Sequence, residues 1–198
     1  MLQKPLIYVN RITNLSDARY CAGMGVDMLG FSVDPGNPDY VSPASYQEMI
    51  GWVAGPKRVI EISLTTPVDL DKIIGQYKPE LLHVTYPDTK NYTPDLPAII
   101  EITFRDWEAH GDKLHLLGIN IEYIMLTEFP DGITQEDVVK GPYPVLLLLD
   151  KDASDVVHLL DKTSAGGLAL QGTREDAPGL KDYDHLSRIL EELDEEEL

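Results

Sequence analysis

The strongest constraint on how this chain folds is an alternation. Eight short runs rich in β-branched residues and leucine recur at 6–12 (LIYVNRI), 28–33 (MLGFSV), 58–64 (RVIEISL), 81–86 (LLHVTY), 98–104 (AIIEITF), 122–128 (EYIMLTE), 144–150 (PVLLLLD) and 167–172 (GLALQG). Segments with helical period or helix-start chemistry separate them. Ser16 and Asp17 suit the start of a helix running to Met24. Ser42-Pro43 opens one through Trp52, with proline at the favoured first position, and Thr66-Pro67 does the same for VDLDKIIGQY. Further helices are expected over 106–117, with Gly111 as a weak point, and over 134–139, 152–160 and 184–193. Between Pro87 and Pro97 helix signals are poor, so that connection reads as a loop or a single turn. Repeated strand-then-helix units require parallel pairing, and VLLLL and AII read like strands covered on both faces. The expected architecture is a single α/β domain over 1–198, a closed (β/α)8 TIM barrel with short loops. The chain's 198 residues sit at the lower limit of that fold, roughly 200 to 250. An open doubly wound sheet is the alternative.

Charge narrows the partners. Sixteen Lys and Arg stand against 34 Asp and Glu, a net charge of −18. Six of the acids lie in the tail 191–198 (EELDEEEL), which reads as a solvated, fraying helix end. No basic cluster is present to neutralise phosphates, so nucleic acid and anionic membrane surfaces are not expected partners. The purest apolar run, 145–149, is five residues long, against the roughly 20 needed to span a bilayer. The start, MLQKPLIYVNR, lacks the layout of a secretory signal, and a soluble cytoplasmic protein is expected. Cys21 is the single cysteine and reads as a small buried hydrophobe. Trp52 and Trp107 fall in helix candidates and read as packing residues. His110, His115, His158 and His185 also fall there and read as surface or packing residues. There is no Gly-rich nucleotide loop, Ser/His/Asp arrangement or CxxC spacing. Gly166-Gly167 begins the eighth run, the wrong end for a phosphate site. Neither a cofactor nor a metal is expected, and the oligomeric state is left open.

Two stretches carry a family likeness. The sequence VNRITNLSDARYCAGMGVDMLGFSVDPGNPDYVSP resembles the start of the phosphoribosylanthranilate isomerases, which reads Lys-Ile-Cys-Gly-Ile-Thr, an Asp-Ala helix, Gly-Ala-Asp-x-x-Gly-Phe and Ser-Pro-Arg-Tyr-Val-Ser. QGTREDAPGLKDYDHLSRIL is similar to the family's Ser-Ser-Gly-Val-Glu, Pro-Gly-Ile-Lys-Asp and last helix, and Leu82-His83 matches its Leu-His at the end of the fourth strand. The resemblance implies a (β/α)8 barrel. It also implies an Amadori-type aldose–ketose isomerisation of N-(5-phosphoribosyl)anthranilate in tryptophan biosynthesis, with a small phosphorylated or polar ligand at the C-terminal mouth. In the family the general base is the first strand's Cys and the general acid an Asp ending the sixth.

At those places this chain differs. The base position is Asn10, followed by Arg11 in place of Gly, and the acid position is Thr127, with Glu128 expected to point away. A second-loop Arg becomes Asp39, and Ala-Gly-Gly after the seventh strand becomes Leu148-Leu149-Asp150. An amide has no usable pKa, and a threonine hydroxyl is far weaker than a carboxylic acid. Each missing group typically costs about 10²–10⁴-fold. A barrel with lost or altered chemistry is therefore expected. The open alternatives are a non-catalytic binding or interaction protein and an enzyme acting on another small molecule.

Candidate ligand-binding residues at the strand ends are Arg11, His83, Glu101, Asp150 and Gln171, with Gly172-Thr173-Arg174 as the remnant of a phosphate turn. Ser32, Asp34, Thr85 and Thr103 are further polar positions there. Glu61 and Glu101 interrupt apolar strands and are expected to face the barrel interior. Isolated buried carboxylates are costly, so each needs a partner, and Arg11 is the candidate.

Overall fold

The structure, a computed structural model, describes residues 4–65, 68–92, 95–150, 153–172 and 184–195. Eight strands pair in parallel and in chain order: β1 (Leu6–Asn10), β2 (Met28–Ser32), β3 (Lys57–Glu61), β4 (Leu81–Thr85), β5 (Ala98–Thr103), β6 (Ile121–Thr127), β7 (Val145–Leu148) and β8 (Gly167–Gln171). The ring closes because β8 lies along β1 from Leu6↔Gly167 to Asn10↔Gln171. That pairing removes the open-sheet alternative and leaves no sheet edge exposed. The helices are α1 (Leu15–Gly23), α2 (Pro43–Ile50), α3 (Leu70–Tyr77), α4 (Phe104–His110), α5 (Gln135–Val138), α6 (Val156–Thr163) and α7 (Asp184–Glu195).

Local chemistry sets the helix starts. Asn14, not Ser16 or Asp17, caps α1: its Oδ1 accepts the Asp17 N–H at 3.0 Å. Ser42 caps α2 and Asp69 caps α3, while Thr66 and Pro67 lie outside the described residues. Thr103 accepts the Asp106 N–H at 3.2 Å, so α4 begins at Phe104 rather than Asp106. At Gly111 the helix tightens into a 3-10 turn, Gly111–Leu117, beneath the Trp107 ring. The connection after β4 is a single 3-10 turn, Asp88–Asn91. The sixth helix starts at Val156, later than the expected 152, and runs on to Thr163.

Two apolar layers follow from the alternation of strand side chains. Outward residues pack under the helices, where Trp107 and Cys21 are fully buried. Trp52 does not pack as expected: α2 ends at Ile50, and the indole beyond it is 72% exposed. Inward residues form a second cluster that includes Tyr8, Met28, Val59, Ile99, Met125 and Ala169. Two residues further along the same strands, the same alternation carries Asn10, Glu61, Glu101, Thr127 and Gln171 to the C-terminal end of the barrel, where catalysis in this fold is built.

Candidate functional site

An open cleft of about 200 Å³ occupies one side of this mouth. Its walls come from β1 to β5 and the segments after them: Asn10, Arg11, Ser32, Asp34, Asn37, Glu61, Ile62, Ser63, His83, Thr85 and Glu101. The backbone enables this crowding. Gly30 faces inward on β2, and a Cβ there would stand 2.4 Å from both the Tyr8 hydroxyl and a Glu61 carboxylate oxygen. Only a residue without a side chain leaves room for both groups.

His83 is the centre of a hydrogen-bonded line. Its Nδ1 lies 3.0 Å from the Tyr8 hydroxyl, and its Nε2 lies 2.9 Å from Glu101 Oε2. The Tyr8 and His83 rings meet edge to face, with centroids 5.7 Å apart. Burial pushes the Tyr8 hydroxyl well above its ordinary value, and the charges of Glu61 and Glu101 add to the rise. The phenol therefore keeps its proton and donates to Nδ1 when the imidazole is neutral, leaving Nε2–H to donate to Glu101.

The titrations of the two interior glutamates are pushed in opposite directions. Burial pushes Glu61 up, against the attraction of His83, the Arg11 N–H and the Arg11 charge. Burial also works to raise Glu101, but the hydrogen bond from His83, with the attraction of His83 and Arg11, outweighs it and holds this carboxyl below its usual range. Arg11 is not the ion-pair partner expected for either. It supplies a backbone N–H, which donates to Glu61 Oε1 at 2.7 Å, while its guanidinium donates to Gln171 Oε1 at 3.3 Å. The left-handed backbone at Arg11 (φ 56°) ends β1 and turns that amide toward the glutamate.

These directions give opposite pH dependences. Between the unfolded and the raised folded value of Glu61, the native state binds more protons, so this group withdraws stability as pH rises through that window. Glu101 contributes stability above its unfolded value and loses it as pH falls through its depressed one. Glu61→Gln is therefore expected to gain in melting temperature relative to the parent as pH is raised from about 4 to about 8. A difference constant with pH would contradict the burial of Glu61 as an acid.

Other expected site residues lie apart. Thr127 is buried at the end of β6, does not line the cleft, and donates to the Ile102 carbonyl at 3.4 Å. Glu128 turns outward with φ 56° and is exposed. Asp150 is exposed beyond β7 and outside the cleft lining. Asp39 is buried and not a lining residue, so the second loop brings Asp34 and Asn37 to the cleft instead. Of the expected phosphate turn, Gly172 is the described residue. Its N–H donates to the Asn10 carbonyl at 2.8 Å, and a Cβ there would stand 2.9 Å from the Arg11 carbonyl oxygen. That amide is engaged in the β1–β8 seam. Thr173 and Arg174 lie outside the described residues.

Asn37, Ile62 and Ser63, which line the cleft, and Tyr8, which bonds His83, are positions the sequence reading missed. Tyr8 sits two residues before Asn10 on β1, so period-two alternation alone places both inside the barrel. Among the described residues, no group of His, Cys, Asp and Glu is arranged to hold a metal ion, and no helix is long and apolar enough to cross a membrane.

No family profile matches the chain. One curated relative, the N-(5'-phosphoribosyl)anthranilate isomerase of Gloeothece citriformis, is 24% identical over 210 aligned positions, covering 92% of this chain and 90% of the relative. A phosphoribosylanthranilate isomerase solved with reduced 1-(o-carboxyphenylamino)-1-deoxyribulose 5-phosphate superposes with a TM-score of 0.75 at 18% identity, over 96% of this chain and 98% of that one. The Thermotoga maritima enzyme gives 0.72 at 17% identity over the same shares. The chain thus has the (β/α)8 fold of the phosphoribosylanthranilate isomerases and resembles them in sequence over 92% of its length.

Proposed function

We propose that this chain is a phosphoribosylanthranilate isomerase-like barrel that has lost the family's Amadori-type isomerisation and keeps its mouth as a binding site for a small polar molecule in the cytoplasm. One observation carries the reading. The two positions to which the resemblance assigns proton transfer hold a buried amide, Asn10, and a buried hydroxyl, Thr127. The isomerisation needs an acid to open the ribose ring and a base to take the C2 proton, and neither group serves near neutral pH. The loss of both suggests a deficit of roughly 10⁴–10⁸-fold, without strict additivity. The crowding of acceptors in the cleft supports a retained ligand site, and the commitment of the Gly172 amide speaks against a sugar phosphate held in the family's manner.

A second reading, an enzyme with another substrate, has one observation in its favour. Glu61 and Glu101 share the cleft in environments that push them in opposite directions, the pattern of an acid paired with a carboxylate.

Steady-state assay on N-(5-phosphoribosyl)anthranilate, with rescue of a tryptophan-requiring strain, tests the main reading. No rescue is expected, with turnover far below ordinary enzymes. Rescue, or a kcat of about 1 s⁻¹ or more, would overturn it.

A further inference from the structure

We infer that the cleft beside β1–β5 takes a small hydroxyl-rich cation, of the amino-sugar class, rather than a sugar phosphate. The inference deepens the preceding reading and rests on it.

Asn10 supplies the first observation. Its side chain is 3% exposed and lines the cleft, and its Oδ1 has no hydrogen-bond partner among the described residues. An amide oxygen only accepts, so what completes this site must bring an N–H or O–H. Burying such an acceptor without a donor is costly, and native structures rarely leave it so.

Charge supplies the second, independently. Asp34, Glu61 and Glu101 face the cleft, and Arg11 is the lining residue with a fixed positive charge. Its exposed guanidinium is turned to Gln171. His83 has both ring nitrogens engaged, by Tyr8 and Glu101, and so offers an anion no free N–H. The Gly172 amide is likewise used within the seam. A phosphate would meet the carboxylates of Asp34 and Glu101, with Arg11 the one Lys or Arg on the lining to offset them. An ammonium would meet those carboxylates, and charge-assisted hydrogen bonds are the stronger kind.

Size and hydroxyl chemistry supply the third. Ser32, Ser63 and Thr85 both donate and accept, which suits a polyol. At about 30 Å³ per water, the cleft of about 200 Å³ holds several waters and suits a monosaccharide-sized group.

A charge series on one skeleton tests this. D-glucosamine, D-glucose and glucose 6-phosphate are titrated into the full chain at a pH of about 6.5, where the amine is protonated, with amide chemical shifts as readout. Glucosamine is expected to bind at least about tenfold more tightly than glucose, and glucose 6-phosphate more weakly than glucose. Glu101→Gln is expected to bring glucosamine to within about threefold of glucose, and this ratio of two affinities measured on the same variant is a loss of discrimination that a folding defect would not produce. Tighter binding of glucose 6-phosphate than of glucosamine, equal affinities for glucosamine and glucose, or no response to glucosamine up to about 50 mM would each overturn the inference. Turnover of N-(5-phosphoribosyl)anthranilate would instead overturn the preceding reading, so the two failures are told apart.

Discussion

Gly167→Ala is expected to leave the barrel barely able to close. Gly167 opens β8, opposite Leu6 of β1 on one side and Leu146 of β7 on the other. A Cβ built there would stand 2.0 Å from the Leu6 carbonyl oxygen and 2.8 Å from its carbonyl carbon and amide nitrogen. These atoms are backbone in a paired strand, so no rotamer change relieves the overlap. The two strands must part at the seam that makes the sheet a ring, and the hydrogen bond from Leu6 N to the Gly166 carbonyl, 3.1 Å, lies beside the clash. Destabilisation of at least about 3 kcal/mol follows, at or beyond the upper end of ordinary overpacking. For a chain of this length that lowers the melting temperature by about 6–12 °C. Gly75→Ala is the control. Gly75 lies inside α3 with open space where its Cβ would go. The same added methyl there is expected to stabilise by up to about 1 kcal/mol, through helix propensity and the unfolded chain. Denaturant melts of both variants decide the matter. A loss below about 1 kcal/mol at Gly167 would mean that the seam yields more than a paired strand should.

The contrast between these glycines also marks what the sequence makes legible. Strand positions were readable because burial on both faces leaves near-continuous apolar runs, and VLLLL and AII have no other simple use. The inward turn of Glu61 and Glu101 was readable for the same reason, since a carboxylate within such a run breaks a period-two pattern. The partners of those carboxylates were not. Pairing across a barrel depends on strand register, which brings Glu61 opposite His83 and Thr85 opposite Glu101. Nothing local to 58–64 or 98–104 encodes that register. Arg11 illustrates the limit further, because charge alone suggested an ion pair. The left-handed backbone instead gave Glu61 an amide proton and sent the guanidinium to Gln171. Trp52 failed for a different reason. Helical spacing marked it as packing, but α2 stops at Ile50 before the indole can turn inward. Gly167 and Gly172 were visible as letters, but the need for each arises from a strand distant in sequence.

The largest functional effect is expected from placing proton-transfer groups at the two positions to which the resemblance assigns them. Asn10→Cys combined with Thr127→Asp replaces an amide by a thiol and a hydroxyl by a carboxylic acid. Thr127 is 8% exposed, so burial pushes an aspartate there upward and keeps it protonated, as an acid that opens a sugar ring must be. Each restored group is worth about 10²–10⁴-fold where substrate is well placed, but here placement opposes the gain. Asp34 and Glu101 still repel a phosphorylated carboxylate, and the Gly172 amide remains tied to Asn10. The double variant is therefore expected to gain about 10²-fold in kcat/KM on N-(5-phosphoribosyl)anthranilate, appearing in kcat while KM stays high. Either substitution alone should recover little, because acid and base act as one unit. A folded double variant no faster than the parent would place the defect in substrate binding. A full gain from Asn10→Cys alone would mean that another cleft acid protonates the ring oxygen, and Glu61, which lines the cleft and is pushed up by burial, is the first to test by Glu61→Gln.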